Sequence, residues 1–245
     1  MAHEFVIIVP ARAGSSRLPN KPLADMVGQS LLKRVFDLAA SSNASATFIA
    51  TDNEAIQEHA QSMGADVIMT SVNHISGMDR VAEAARLINL SPDTKILNLQ
   101  GDEPFMPLEI INTLPTHLTT TNTIATACVP ISNPETITNP NEVMVVRSLS
   151  KRAMYFSRSV IPYAFTATHH NYLKHLGIYS YTNQTLQELT KLQPTEHELQ
   201  EKLEQLRFLD HGYNIFVEDY PYNPPIGIDT PEDLEAAIEF IKSHG

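Results

Sequence analysis

The segment PARAGSSRLPNKPL, residues 10–23, carries Arg12, Arg17 and Lys21 and contains no carboxylate; the first to follow is Asp25. In a chain of net charge −11 this is a local concentration of cations. Guanidinium and ammonium groups make charge-assisted hydrogen bonds to phosphate oxygens. The small residues Ala13, Gly14, Ser15 and Ser16 would let backbone N–H groups approach the same oxygens. The pattern matches neither common nucleotide fingerprint. A Walker loop needs two spaced glycines before Lys-Ser/Thr and a dinucleotide loop needs three glycines, whereas Gly14 stands alone. The competing reading is a solvated surface loop. A second group is acidic. KILNLQGDEP brings Gln100, Gly101 and Asp102 to the end of an apolar run, and GIDTPEDL places Asp229 just before Thr230. Two carboxylates arriving from separate strand ends could hold one Mg²⁺, which takes one or two protein carboxylates together with substrate phosphates and water. Each aspartate could instead be a turn or helix-cap residue.

These groups need a frame that gathers them. Short apolar runs at 5–10, 47–51, 66–70 and 95–100 alternate with helical periodicity over 31–41, 54–63 and 78–90. That alternation predicts an α/β fold, a mainly parallel twisted sheet flanked by helices. In such sheets the loops leaving the carboxyl ends of the strands line the ligand crevice, which is where both groups fall. Ser76 with Asp79 and Thr230 with Asp233 read as helix-start caps, Pro231 suits a first helical turn, and Gly64 suits a stop. The second half is less regular. Strand-like runs at 125–131, 143–147, 153–157 and 176–181 predict a smaller mixed-sheet lobe around 132–182 within one domain. Helices are expected over 184–192, 199–209 and 231–242, a strand over 214–218, and a rigid proline-rich loop over 220–225.

Composition removes several function classes. The 245 residues are 42% hydrophobic, with 17 basic and 28 acidic side chains. The acidic balance argues against a nucleic-acid surface. Cys128 is the only cysteine, which excludes an internal disulfide or a multi-cysteine zinc site and fits a reducing cytoplasm. The apolar runs are strand-sized, so no membrane insertion is expected, and the first of them lacks the basic flank of a signal peptide. His169 and His170 lack a partner cluster and read as solvated.

The strings IVPARAGSSRLPNKPL, ATDNE, MTSVNHISGMDR, NLQGDEP, NPNEVMVV, MYFSRSVIPY, KHLGIYSY, EKLEQLRFL and GIDTPEDL run in order over nearly the whole chain. Together they resemble the 3-deoxy-manno-octulosonate (Kdo) cytidylyltransferases, also called CMP-Kdo synthetases. The resemblance implies transfer of CMP from CTP to Kdo with release of pyrophosphate, activating the sugar for lipopolysaccharide. By it, Arg12 and Lys21 neutralise the triphosphate, and Asp102 and Asp229 hold Mg²⁺. Arg17 adds a weaker phosphate contact, and Ala11, Ser76, Gly77, Arg80 and Gln100 complete the nucleotide pocket. Kdo is a carboxylate and needs a cation: Arg158 and His175 are the candidates, with Gln100, Glu204 and Gln205 on the sugar hydroxyls. Outside the resemblance, His175 reads as a structural histidine and EKLEQLR as a surface helix. A homodimer through the irregular half is also implied.

The chain departs from the family pattern in four places. Asn20 stands for glycine before the lysine, a mild change because asparagine tolerates a left-handed backbone. Met78 replaces threonine, which would remove a hydroxyl from the nucleotide pocket. His197 replaces leucine ahead of Glu198, and the segment 164–172 is short. Alternatives to the leading reading are the same transfer onto 8-amino-Kdo or another acid sugar, a non-catalytic nucleotide-binding protein, and a glycosyltransferase using a nucleotide sugar.

Overall fold

The computed structural model describes residues 4–14, 17–131, 137, 139, 141–165, 172–221 and 227–244. Ser15, Ser16, His169, His170, most of segment 164–172 and most of the loop over 220–225 lie outside them. Strands β1 (Phe5–Ala11), β2 (Ala46–Thr51), β3 (Asp66–Met69) and β4 (Lys95–Asn98) pair in parallel in the order β3-β2-β1-β4. Helices α1 (Leu31–Ala40), α2 (Glu54–Ser62) and α3 (Gly77–Leu87) connect them. After α4 (Leu108–Thr113) come β5 (Ile124–Pro130), β6 (Met144–Arg147), β7 (Ala153–Ser157) and β8 (Leu173–Thr182). The chain then runs through α5 (Asn183–Leu189), α6 (Glu196–Glu201), α7 (Gln205–Asp210), β9 (Phe216–Asp219) and α8 (Pro231–His244).

The parallel half is built by burial on both faces. In β1, Phe5, Ile7, Val9 and Ala11 enter one core with Leu31 and Val35 of α1, Ile56 of α2 and Ile110 of α4. Val6 and Ile8 enter the opposite core with Val81 and Ala85 of α3, Leu186 of α5 and Phe208 of α7. A strand covered on both sides has no solvent face to mark with polar residues, so it reads as the continuous run FVIIV. The second half joins the same sheet: β8 lies antiparallel between β4 and β5, β9 pairs in parallel with β5, and the antiparallel pair β6–β7 hangs from β8.

The expected caps form. Ser76 accepts from Asp79 N at 3.1 Å, Thr230 and Asp233 bond each other's backbone reciprocally, and Gly64 takes φ 81° after α2. The single helix expected over 199–209 is instead α6 and α7. Lys202 turns left-handed at φ 56°, which ends α6, and the buried Leu203 anchors the bend. Only the second piece is anchored in the core, by Leu206 and Phe208, whereas α6 buries no residue and its Leu199 is 56% exposed, so the apolar period that joined the two pieces was partly a surface pattern. Helix α4 was not expected, and β8 begins earlier than 176, taking Lys174 and His175 into the strand.

Val27 holds φ 59° in the turn between Asp25 and Ser30 while 43% exposed. A β-branched residue there is strained by about 1–2 kcal/mol, with no burial to offset it. Val27→Asn is therefore expected to stabilise the protein by about 1 kcal/mol, a rise in Tm of about 2–4 °C in thermal unfolding.

Candidate active site

In the order β3-β2-β1-β4 the chain leaves β1 toward β2 and later returns to the other side of β1 as β4, so a crevice opens between the carboxyl ends of β1 and β4. The cationic loop leaves β1, and Gln100 to Asp102 leave β4. The two ends are pressed together. A Cβ on Gly101 would sit 2.8 Å from the Pro10 carbonyl oxygen, so only glycine lets the Asp102 backbone lie this close to β1. On the other side Asn20 takes φ 53° immediately before the short 3-10 turn Lys21–Leu23. The substitution of asparagine for glycine thus keeps the conformation that the position requires.

These backbone constraints bring Lys21, Asp102 and Asp229 to one point. Lys21 Nζ donates to Asp102 Oδ2 at 2.6 Å and to Asp229 Oδ1 at 3.0 Å, and Arg17 Nη2 lies 3.1 Å from Asp229 Oδ2. Burial pulls the Lys21 ammonium down, yet the two carboxylates outweigh it and hold its pKa above the ordinary lysine value. The neighbouring Glu103 is pushed up to about 8, by burial first and then by the charge of Asp102. Its carboxylate occupies the space where a Cβ on Gly227 would fall, at 2.7 Å. Arg12 is exposed in the same crevice and has no ion pair among the described residues.

A cavity of about 230 Å³ opens here, lined by Ala11, Arg12, Arg17 and Lys21 on one side and by Ser76, Gly77, Arg80 and Gln100 on the other. All eight expected nucleotide-pocket residues meet in it. Helix α3 contributes its N-terminus, where unpaired N–H groups favour an anion. Arg80 is 2% exposed and its fork is already engaged, Nη1 on Thr70 Oγ1 and Nη2 on Asp52 Oδ2, both at 2.6 Å. Arg80 thus lines the pocket as the resemblance implies, but with both terminal nitrogens held by protein partners: it fixes the corner between β3 and α3 and supplies a wall. Met78 requires a correction. It is 2% exposed within the core beneath α3, so the substituted side chain packs against the sheet and does not line the pocket.

A larger cavity of about 540 Å³ adjoins, lined by Arg158, His175 and Gln205 among others. Arg158 is held at the end of α6: its N–H donates to Glu201 Oε2 at 2.9 Å and its Nε to the Glu201 carbonyl at 2.9 Å. The break between α6 and α7 places Gln205, 7% exposed, in the wall. Glu204 is not among the lining residues; it bonds Ser76 and thereby ties α7 to the start of α3, and burial pushes its pKa up. Gln100 lines the smaller cavity rather than this one, with Nε2 donating to Asn98 Oδ1 at 3.2 Å. His197, the third departure, lies outside both cavities as a half-exposed partner of Asp210 at 3.0 Å.

His175 is in the wall but not as a cation. It is 8% exposed, its Nε2 meets Thr126 Oγ1 at 2.9 Å, and Phe156 packs edge-on at 4.9 Å. Burial pulls its pKa down to about 3. The positive charges on this cavity are instead Arg158, Arg17 and Lys174, the last paired with Glu142 at 2.7 Å. Sequence reading missed Lys174 and Tyr179, whose buried hydroxyl lies beside Thr126 in the same wall. The period-two spacing of His175, Gly177 and Tyr179 along β8 was the available signal for Tyr179, whereas Lys174 falls on the other phase and had none. Because the unfolded chain protonates His175 near 6.5 and the folded chain only near 3, stability is lost as pH falls through that window. The slope from this group approaches about 1.4 kcal/mol per pH unit. His175→Gln, whose amide can still meet Thr126, is expected to unfold less steeply with acid in denaturant titrations between about pH 6 and pH 4.

Comparison with known proteins places these features in context. The cytidylyltransferase family model matches residues 6–215. A 3-deoxy-manno-octulosonate cytidylyltransferase of Polynucleobacter necessarius subsp. necessarius is 43% identical over 98% of this chain and 96% of its own length. The protein of that name from Pseudoalteromonas translucida is 40% identical over 98% of each chain. Among solved structures, a CMP:2-keto-3-deoxy-manno-octonic acid synthetase complexed with CTP superposes with a TM-score of 0.93 at 37% identity, covering 99% of this chain and 100% of that one.

Proposed function

Because the chain belongs to the 3-deoxy-manno-octulosonate cytidylyltransferase family, we infer that it transfers CMP from CTP to Kdo. The hydroxyl oxygen on the anomeric carbon of Kdo attacks the α-phosphorus of CTP, the bond from that phosphorus to the bridging oxygen breaks, pyrophosphate leaves, and the hydroxyl proton passes to solvent. The product is the activated sugar used for lipopolysaccharide. One observation carries this reading: Arg17 and Asp229 line both cavities, so the smaller, cation-lined one and the larger, sugar-sized one meet at the Lys21–Asp102–Asp229 cluster. Charge neutralisation is concentrated where two substrates would touch.

Phosphoryl transfer asks mainly for positioning and for neutralisation of the charge that builds on the phosphate. Arg12, exposed and unpaired among the described residues, and Arg17 face the triphosphate. The start of α3 and Gln100 hold the nucleoside end. Arg158 and Lys174 meet the sugar carboxylate, and Gln205 and the Tyr179 hydroxyl take sugar hydroxyls. The buried thiol of Cys128, pushed up to about 12, takes no part. Asp102 and Asp229 suit Mg²⁺: oxygens of both already converge on a single cation, the Lys21 ammonium. Bound there, the metal would supply further positive charge at the phosphates.

The homodimer and the cytoplasmic setting belong to the same proposal. Met154 of β7 and Tyr163 and Phe165 after it are 64%, 85% and 92% exposed, apolar surface that a second copy would cover. Among the described residues no helix is long and apolar enough to cross a membrane. The test is pyrophosphate release from CTP and Mg²⁺ with Kdo, with 8-amino-Kdo and with no sugar. Turnover with Kdo supports the assignment, turnover with the amino sugar alone moves the acceptor, and silence with both overturns it.

A further inference from the structure

The loop between β3 and α3 presents its residues in an unusual way. Apolar Val72 and Ile75 are 72% and 90% exposed, while the polar His74 between them is turned inward with its side chain 18% exposed, into the smaller cavity. Its orientation is built from the rest of the loop. Glu83 of α3 accepts from His74 Nε2 at 2.5 Å and from the backbone N–H of Ser71 at 2.7 Å through the same Oε2. Ser71 Oγ in turn accepts from Asn73 N at 3.1 Å. Burial pushes the Glu83 carboxyl up, but these donors win and hold it below the usual carboxylate range, so it is ionised and acts as an acceptor only.

The bond to Glu83 commits Nε2 and leaves Nδ1 as the ring atom free to meet a ligand. Arg80, the nearby cation of the same wall, has both terminal nitrogens engaged by Thr70 and Asp52. A ligand reaching the start of α3 therefore meets the His74 ring, beside Ser76 and Gln100, as a polar side chain of that wall with a ring nitrogen to offer. We propose that His74 is a nucleotide-binding residue of this enzyme and that Glu83 is its positioning residue, fixing the ring so that Nδ1 faces bound CTP. The proposal rests on the cytidylyltransferase reading of the cavity and adds two residues to it.

The test is steady-state kinetics of a double-mutant cycle, with calorimetric CTP titration and thermal melts of each variant. His74→Ala is expected to raise the KM for CTP about tenfold, with kcat and the KM for Kdo changed less than about twofold. His74→Asn, which keeps a short polar group, should recover part of that loss. Glu83→Gln should raise the CTP KM about threefold in the wild-type background and add nothing to His74→Ala, since it acts only through the ring. An unchanged CTP KM in His74→Ala, additive effects in the double variant, or equal rises in both substrate KM values would overturn the proposal. If His74→Ala melts early, His74→Asn and the calorimetric Kd carry the decision by the same criteria. Failure of the wild-type protein itself to bind CTP would strike the cytidylyltransferase reading, and is distinguishable from these outcomes.

Discussion

Asp102→Asn is expected to lower kcat about a thousandfold while leaving CTP binding within a few-fold of wild type. Asp102 sits in the turn after β4, just past Gly101, whose backbone is packed against the Pro10 carbonyl of β1, so that close approach fixes where its carboxylate starts. It converges with Asp229 on one cation, at the seam of both cavities. A contact that counts mainly in the transition state changes kcat and kcat/KM together, and losing one such charge contact typically costs two to three decades. Asparagine keeps the shape and removes the charge. Pyrophosphate release under saturating CTP and Kdo measures kcat, and calorimetry measures nucleotide binding. A variant that keeps more than about a tenth of wild-type kcat would remove Asp102 from the reacting centre.

Lys21→Met is expected to act on both rate and stability. The ammonium is the hub of the cluster: its side chain is 14% exposed, Asp102 is 29% and Asp229 50%. Without it, Asp102 and Asp229 face each other with only Arg17 to compensate, and half-buried carboxylates left unpaired are costly. Solvent reaches both, so the loss is set at about 2 kcal/mol, below the 3–5 of a fully buried pair. That corresponds to a fall in Tm of about 4–8 °C. Turnover should drop about a hundredfold or more, because the same charge is needed on the phosphates. Added Mg²⁺ should raise the Tm of Lys21→Met more than that of wild type, where the ammonium competes for the same oxygens. Lys21→Arg should not restore the rate, since a planar fork replaces a compact point charge. A Lys21→Met protein as stable as wild type, with no extra response to Mg²⁺, would show that the carboxylates do not depend on the lysine.

Much of this is legible in the amino-acid sequence. The parallel half declares itself because doubly buried strands must be continuously apolar and because caps such as Ser76, Thr230 and Gly64 act within a few residues of the chain. The cationic loop and the two aspartates stand out by residue type against an acidic background. The resemblance strings then carried the reaction and the substrate. Asparagine's tolerance of a left-handed backbone predicts that Asn20 is a mild change, and its φ is 53°.

What the sequence could not supply are relations between distant parts of the chain. That Arg80 is consumed by Asp52 and Thr70, that Met78 faces the core, and that Glu204 ties α7 to Ser76 follow from which side of a helix meets the sheet. The break at Lys202 decides that Gln205 enters the larger cavity while Glu204 does not. His175 offered a cation by residue type, and only its burial among Thr126, Phe156 and Tyr179 makes it neutral. The sequence by itself determined the fold class, the family and the charges available for the chemistry, because those depend on residue type and short-range order. The tertiary structure alone decided which charges remain free for a ligand, because burial and pairing arise only when segments far apart in the chain are brought into contact.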